Sequence, residues 1–225
     1  MIDTLDWPRI EADLDAYGAA NTGKLLSPDQ CAALIALYDE PSRFRSRVVM
    51  ARHGFGRGEY QYFANPLPPL VASLRTGFWP HLAPIARRWT GRDFPDTHAE
   101  YLARCHQAGQ GKPTPLLLRY GAGDYNCLHQ DLYGAEVFPL QLAILLSAPG
   151  AEFGGGEFVL TEQRPRMQSR AEVVSLAQGE AVIFAVAERP VQGTRGPYRV
   201  KLRHGVSRVT WGARQTLGVI FHDAA

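Results

Sequence analysis

The chain has 225 residues, of which 45% are hydrophobic and 20% are charged, and its formal net charge is +2. This length suits one well-buried domain, and the composition excludes disordered and fibrous proteins. The cysteines Cys31, Cys105 and Cys127 share no short ligand spacing. A disulfide framework and a zinc site are therefore not indicated, and a reducing compartment is favoured.

The N-terminal residues lack the apolar core of a signal peptide, and no apolar run is long enough to cross a bilayer. We therefore predict a cytoplasmic protein with one domain over residues 1–225, no membrane association and no obligate protein partner. Charge is distributed unevenly, since residues 1–40 hold 8 acids against 2 bases and residues 160–214 hold 10 bases against 4 acids. The basic half suits a phosphate-bearing partner.

Residues 1–110 are predicted to form a mainly helical support region. Proline stands in the first turn of two segments and glycine follows the end of others, which is typical helix punctuation. The predicted helices cover residues 7–17, 28–39, 68–89 and 97–108, with short strands at 48–50 and 59–63. We expect the helix over 68–89 to break at Pro80 and to end at Gly91.

From Pro115 onward the sequence changes to short apolar or alternating runs separated by turns with glycine and proline. The predicted strands are 116–120, 137–147, 157–161, 181–187, 198–204 and 215–222. Such spacing is typical of a sandwich or barrel closed on itself. We predict an α+β, mainly β, fold in which residues 115–223 form two facing sheets and the N-terminal helices pack on one of them.

A His-x-Asp pair, His129 and Asp131, follows the apolar run at 116–118, and His204 ends a later alternating segment. A residue at a strand end can face the mouth of a barrel. Two imidazoles and one carboxylate on one side of a metal leave the opposite positions open, as in non-haem Fe(II) oxygenases. The alternatives are a loop histidine with an Asx turn and a capped strand end.

Arg214 and Thr216 lie two positions apart on the last predicted strand and so share one face. A forked cation and a hydroxyl suit the far carboxylate of a dicarboxylic co-substrate such as 2-oxoglutarate. The alternative is an ordinary surface arginine.

The segment 119–131 resembles AlkB-type DNA and RNA repair enzymes, which share its Arg-Tyr, its Gly123 and its Leu-His-Gln-Asp. More broadly, residues 115–223 resemble a prokaryotic family of 2-oxoglutarate/Fe(II)-dependent dioxygenases thought to act on damaged nucleic acid. The resemblance implies a double-stranded β-helix, or jelly-roll, fold that uses Fe(II), 2-oxoglutarate and O₂. It also implies individual roles: iron ligands His129, Asp131 and His204, a carboxylate partner Arg214, and a hydrogen bond from Tyr120 to the co-substrate.

The resemblance further implies oxidative demethylation of alkylated single-stranded DNA or RNA. Two departures keep alternatives open, because Leu118 and Ile220 stand where AlkB-type enzymes carry Asn and a second Arg. The short distance from His204 to Arg214 is similar to that of prolyl hydroxylases, so hydroxylation of a protein side chain or of a small molecule is the second hypothesis. A non-catalytic sensor that binds 2-oxoglutarate and metal is the third.

Several other segments are candidates for substrate binding. The stretch 43–63 interleaves arginines with aromatics, as grooves for single-stranded nucleic acid do, although a solvated basic strand with core aromatics would look the same. The loops 164–170 and 189–195 are basic and are candidates for phosphate contacts. The run 154–156 is all glycine and marks either a tight turn or a close approach of the backbone to the site. Cys127 is expected to be a small buried residue, and His222 is expected to lie outside the site.

Overall fold

The computed structural model describes residues 2–132 and 134–225. Its α-helices are α1 (Trp7–Tyr17), α2 (Pro28–Ala36), α3 (Pro69–Thr90) and α4 (His98–Gln107). None of the helices in these ranges is long and apolar enough to cross a membrane.

The helix ends follow the predicted punctuation. The Asp6 side chain accepts a hydrogen bond from the backbone N–H of Arg9 at the start of α1, and Gly18 ends the helix in the left-handed conformation. Ser27 forms a capping box at the start of α2. A 3₁₀ turn over Leu37–Asp39 then continues to the predicted end. The helices predicted over 7–17, 28–39 and 97–108 are therefore confirmed.

The expected break of the third helix at Pro80 is wrong. Helix α3 runs unbroken through both Pro80 and Pro84, and Gly91 ends it as predicted. Each proline removes one backbone hydrogen bond. The helix nevertheless continues because residues on both sides of Pro80, including Trp79 and Leu82, are buried in the core. Burial of the apolar face offsets the lost hydrogen bonds.

The β-strands form two main antiparallel sheets. The first is seven-stranded, in the order β1-β11-β7-β15-β5-β4-β2, and the second has the order β10-β9-β13-β6-β3, with β12 paired to β13. A separate ribbon pairs β14 with β8. The strand bounds are β1 Ala19–Lys24, β2 Phe44–Val49, β3 Gly56–Arg57, β4 Glu59–Phe63, β5 Leu116–Tyr120, β6 Tyr125–His129, β7 Leu140–Leu145, β8 Phe153–Gly155, β9 Phe158–Gln163, β10 Arg170–Val174, β11 Glu180–Ala185, β12 Glu188–Gly193, β13 Gly196–Val206, β14 Val209–Gly212 and β15 Arg214–Val219.

The predicted fold class, a mainly β jelly-roll core with helices on one sheet, is confirmed. Helix α1 packs on β1 and β11 and α3 contacts β15, all in the seven-stranded sheet, although α1 also reaches β12. The apolar interior lies between these layers and includes Trp79, Phe138 and Phe221. Close packing fixes the positions of the side chains on β5, β7 and β15 that face this interior. These strands can therefore hold functional side chains in a defined arrangement.

The prediction for residues 1–110 was incomplete. Its strand at 59–63 is β4 and its strand at 48–50 overlaps β2, but β1 and β3 were not predicted. Strands β1, β2 and β4 extend the seven-stranded sheet, and β3 forms an edge of the other sheet. The sequence of β1, Ala-Ala-Asn-Thr-Gly-Lys, holds one β-branched residue and no aromatic. Its extended conformation comes from antiparallel pairing with β11, which no local pattern reveals.

Candidate active site

A cavity of about 420 Å³ opens between the two sheets. Side chains from β4, β5, β6, β7, β13 and β15 line it, so both sheets contribute. Its volume lies within the range of about 300–1,000 Å³ that is usual for small-molecule sites. All six predicted site residues, His129, Asp131, His204, Arg214, Thr216 and Tyr120, line this cavity.

Three potential metal ligands meet in the cavity. His129 is the last residue of β6 and lies directly opposite His204 of β13, and Asp131 follows two positions later. The Nε2 atoms of His129 and His204 each lie 3.4 Å from a different carboxylate oxygen of Asp131. One ligand atom from each residue lies within 4.8 Å of the other two. The predicted convergence of these side chains is thus present.

Local contacts fix the orientation of both rings. The Nδ1–H of His129 donates to the carbonyl of Cys127 at 2.8 Å, which leaves Nε2 as the nitrogen that faces Asp131. The ring of His204 packs against Phe184 at 4.6 Å between centroids and stacks on Phe158 at 6.1 Å. Both imidazoles therefore present Nε2 to one point.

The turn that carries the His-x-Asp pair is tied to the rest of the barrel by Gln130. Its amide donates hydrogen bonds to the carbonyls of Ala187 at 3.0 Å and Leu202 at 2.7 Å. Leu202 precedes His204 on β13 by two residues. Gln130 thus links the segment with two of the potential ligands to the strand with the third.

Electrostatics in the trio favour a negative Asp131. Burial raises the pKa of this carboxyl, but hydrogen bonds from His129 and His204 hold the pKa well below its ordinary value. Burial alone would lower the pKa of His129, and the hydrogen bond with Asp131 reverses the direction and raises it. Burial lowers the pKa of His204. A carboxylate between two imidazoles, away from bulk water, is a donor set that suits a divalent transition metal.

Arg214 is a buried cation. It is 3% exposed, and its Nη1–H donates to the hydroxyl of Thr216 at 2.6 Å. Its Nε has no hydrogen-bond partner, and within the described ranges no carboxylate lies within ion-pair distance of it. Burial lowers the pKa of this guanidinium. The charge of Glu157 acts on Arg214 from beyond ion-pair distance. A buried charge without a close counter-ion is costly, so Arg214 and Thr216 together can bind an anion.

Tyr120 lies beside this anion site. It is fully buried, and the Arg214 guanidinium carbon is 5.6 Å from its ring centroid. Burial raises the pKa of the phenol. Among the residues that the structure describes, the hydroxyl has Asn126 as a polar neighbour but forms no hydrogen bond of ordinary geometry. It remains protonated at neutral pH and can donate to a ligand in the cavity.

The glycine run allows a close approach to Arg214. Gly156 has a φ of +68°, and a Cβ at this position would lie 2.8 Å from Cδ of Arg214 and 3.0 Å from Cγ2 of Val209. The sequence left two interpretations of the glycine run open, a tight turn or a close approach of the backbone to the site. The structure favours the close approach. The backbone of Gly156 packs directly on the stem of the arginine.

Sequence reasoning missed Gln141 of β7. This side chain lines the cavity and is 4% exposed, and its amide nitrogen has no hydrogen-bond partner among the described residues. Gln141 pairs across the sheet with Phe184, whose ring contacts His204. A signal was available, since Gln141 is the one polar residue in the apolar run 140–146.

Other expectations need correction. Cys127 is exposed rather than buried, because β6 turns this residue toward solvent near the cavity mouth. The loops 164–170 and 189–195 hold fewer free cations than expected, since Arg164 and Arg189 pair with the buried carboxylate of Glu162. Arg189 is 2% exposed and cannot contact a phosphate.

His222 lies outside the cavity lining, in agreement with expectation. It is fully buried, and its Nδ1 accepts a hydrogen bond from the backbone of Phe138. Burial, aided by Arg75, lowers its pKa to about 4. His222 is therefore a neutral core residue at physiological pH.

The jelly-roll fold and a His-Asp-His cluster that could hold a metal suit a metal-dependent oxygenase. Residues 58–224 match the Oxygenase-NA family, described as oxygenases that catalyse oxidative methylation of damaged DNA, and the chain belongs to this family. The chain is also 48% identical over 168 residues to the uncharacterized proteins MT2286 and Rv2227 of two Mycobacterium tuberculosis strains. In each comparison the aligned residues cover 72% of this chain and 72% of the relative.

Solved structures show the same fold. A Pseudomonas putida prolyl-4-hydroxylase matches with a TM-score of 0.53 at 14% identity over 97% of this chain and 99% of its own. A Burkholderia pseudomallei oxidoreductase of the 2OG-Fe(II) oxygenase family matches with a TM-score of 0.56 at 16% identity. The match covers 97% of this chain and 92% of the oxidoreductase chain. The epimerase SnoN from nogalamycin biosynthesis matches with a TM-score of 0.56 at 15% identity. The match covers 94% of this chain and 80% of the epimerase chain. The prediction of an oxygenase enzyme is confirmed by the family match. The solved structures show the predicted fold, and the His129, Asp131 and His204 cluster could hold the predicted iron.

Proposed function

We propose that the protein is an Fe(II)- and 2-oxoglutarate-dependent dioxygenase that oxidises methyl groups on alkylated nucleic acid. One observation carries the proposal: the His129, Asp131 and His204 ligand atoms meet within 4.8 Å in a cavity that also holds a buried arginine with no described carboxylate within ion-pair distance. The donor set fits Fe(II), and the charge of Arg214 fits a dicarboxylate.

In this proposal the six predicted site residues have individual roles. The Nε2 atoms of His129 and His204 and the Asp131 carboxylate hold Fe(II). Arg214 and Thr216 bind the far carboxylate of 2-oxoglutarate, and Tyr120 donates a hydrogen bond to the co-substrate. When bound, the iron with 2-oxoglutarate and O₂ supplies the oxidising power that hydroxylates a substrate C–H bond, with succinate and CO₂ as co-products.

The protein contributes binding, orientation and exclusion of water. The aromatic rings of Phe158 and Phe184 cover His204 and keep its imidazole in one orientation. Because a metal ligand must be deprotonated, metal binding displaces the proton that Asp131 stabilises on His129. We therefore expect iron affinity to fall as the pH falls through the raised pKa of His129.

The substrate class is supported by the cavity and by the family description, which names damaged DNA as the substrate. Hydroxylation of a methyl group on nitrogen makes the carbon leave as formaldehyde, so the proposed outcome is demethylation. A cavity of about 420 Å³ has room for a base but not for a duplex, so the base must leave its stack or come from a single strand. Hydroxylation of a protein side chain is the second candidate, because the interval of ten residues from His204 to Arg214 resembles that of prolyl hydroxylases.

Succinate release across a substrate panel tests this proposal. The panel contains methylated single-stranded DNA and RNA, unmethylated strands, proline-containing peptides and free amino acids. We expect stimulation by the methylated strands, equimolar formaldehyde, and an activity that falls steeply with salt. Stimulation by the peptides alone would select the second candidate.

Replacement of Gln130 is expected to weaken iron binding although Gln130 is not a ligand. Gln130→Ala removes both hydrogen bonds that tie the His-x-Asp turn to Ala187 and Leu202. Loss of a support of this kind costs about 10- to 100-fold in metal affinity. Competition titration with a chelator measures the change. Gln192→Ala, which removes an exposed glutamine of β12, is the matched control and should bind iron normally.

Gly156→Ala is expected to weaken 2-oxoglutarate binding about tenfold, because the new methyl group displaces the stem of Arg214. Gly91→Ala controls for backbone strain, since Gly91 has the same φ of +68° and a Cβ added there would have no neighbour within 4 Å. Both variants should lose about 1–2 kcal/mol of stability because alanine is strained in the left-handed region. Gly156→Ala should lose more, because its methyl group also meets Arg214 and Val209. Isothermal titration should then show weaker co-substrate binding for Gly156→Ala alone, and equal affinities would remove the packing role of Gly156.

A further inference from the structure

Two exposed apolar side chains line the cavity. The described residues include eight large exposed hydrophobic side chains, and two of them, Phe55 and Leu128, line the cavity, while Tyr125 and Leu132 lie in the same segment as Leu128. The backbone N–H of Cys127 donates to the carbonyl of Phe55 at 2.9 Å, and Arg57 pairs with Tyr125 between β3 and β6. Single exposed hydrophobics are ordinary, whereas a contiguous group beside a cavity indicates a contact surface.

Phe55 is the central member of this group. It lines the cavity and is 48% exposed, and its ring stacks on that of His53 at 5.3 Å with an interplanar angle of 23°. The contact with His53 restricts the ring while much of it remains open to solvent. An aromatic ring held in this way can stack with a planar partner at a low entropic cost.

The arginines of the basic stretch fall into two groups. Arg52 and Arg57 flank Phe55, are exposed, and have no carboxylate within ion-pair distance in the described ranges. The other three are engaged within the protein: Arg43 with Glu40, Arg47 with Glu59, and Arg45 with the carbonyl of Pro113. The interleaved pattern of the sequence is therefore partly structural, and the arginines without an ion-pair partner among the described residues are the two nearest Phe55 in the sequence.

We propose that Phe55, Arg52 and Arg57 bind the strand on either side of the oxidised base, Phe55 by stacking on a neighbouring base and the arginines by contacting phosphates. The inference rests on the proposed function and adds the surface that holds the substrate. Its occupant is single-stranded nucleic acid, because this polymer offers planar rings and regularly spaced negative charges together. A peptide would need no free cations on both sides of an exposed aromatic ring.

Fluorescence anisotropy with a labelled 12-residue oligothymidylate tests the proposal on the full chain, with Mn(II) and 2-oxoglutarate present so that no oxidation occurs. Phe55→Ala should bind about tenfold more weakly, and Phe55→Trp should bind as well as the wild type. Arg57→Gln should lower the slope of log affinity against log salt by about 0.7. The matched controls are Tyr17→Ala, whose exposed fraction of 46% is close to that of Phe55, and Arg43→Gln.

The outcomes separate this proposal from the proposed function. Weaker binding for both mouth variants, with both controls unchanged, supports the mouth as the strand-binding surface. If the wild type oxidises and binds the methylated strand while Phe55→Ala and Arg57→Gln bind equally well, the mouth proposal is wrong and the function stands. If the wild type neither binds oligonucleotides nor releases succinate with them, but does so with peptides, both are wrong.

Discussion

Asp131→Ala protein is expected to lose its iron. Asp131 supplies the one negative charge among the three proposed ligands, and its oxygens lie 3.4 Å from both imidazole nitrogens. Without it two neutral rings remain, which cannot offset the charge of Fe(II). We expect a loss in affinity larger than the roughly 100-fold that marks changes outside the ligand set. Iron content after dialysis against a weak chelator measures the effect.

The matched control is Asp124→Asn, seven residues earlier in the same segment. The Asp124 carboxylate accepts a hydrogen bond from the backbone of Gly121 and lies outside the trio. An asparagine oxygen can accept the same hydrogen bond, so this variant should retain normal iron. Wild-type iron content in Asp131→Ala would contradict the assignment of the ligand set.

Arg214→Gln is expected to weaken 2-oxoglutarate binding on the order of 100-fold while leaving the iron in place, because truncating one partner of a buried charge pair costs several kcal/mol. Arg214→Lys keeps the charge but loses the fork, so we expect a loss of about tenfold. Titration calorimetry in the presence of Mn(II) measures both. Arg203→Gln is the control, since Arg203 neighbours His204 on β13 but is exposed.

The stability of the same variant separates a ligand-binding arginine from a structural one. In the protein without co-substrate Arg214 is buried and lacks a carboxylate partner within the described residues. Removing a buried charge that only the more distant Glu157 offsets relieves a desolvation cost. Arg214→Gln should therefore unfold at the same or a higher temperature, whereas a drop of several degrees together with unchanged 2-oxoglutarate affinity would make Arg214 structural.

The parts of the site that are local in sequence could be predicted. His129 and Asp131 are two positions apart, and Arg214 and Thr216 share one face of a strand because side chains alternate. His204 ends an alternating run, and the structure places it opposite His129. These pairs could be recognised because strand geometry alone determines which neighbours point the same way.

Features that depend on pairing between distant segments could not be predicted. Strand β1 exists because β11 lies beside it, and α3 continues through Pro80 because its neighbours are buried. The division of the basic stretch into engaged and free arginines depends on acids brought close by folding, such as Glu59 for Arg47. Composition shows the charges, and only the fold decides which of them remain available.

The ligand set can be seen in a crystal structure of the protein prepared with Fe(II) and 2-oxoglutarate without oxygen, with an anomalous map at the iron edge. We expect one strong peak within bonding distance of Nε2 of His129, Nε2 of His204 and the Asp131 carboxylate, with the co-substrate's far carboxylate on Arg214. A peak elsewhere, or density for 2-oxoglutarate away from Arg214, would contradict this expectation.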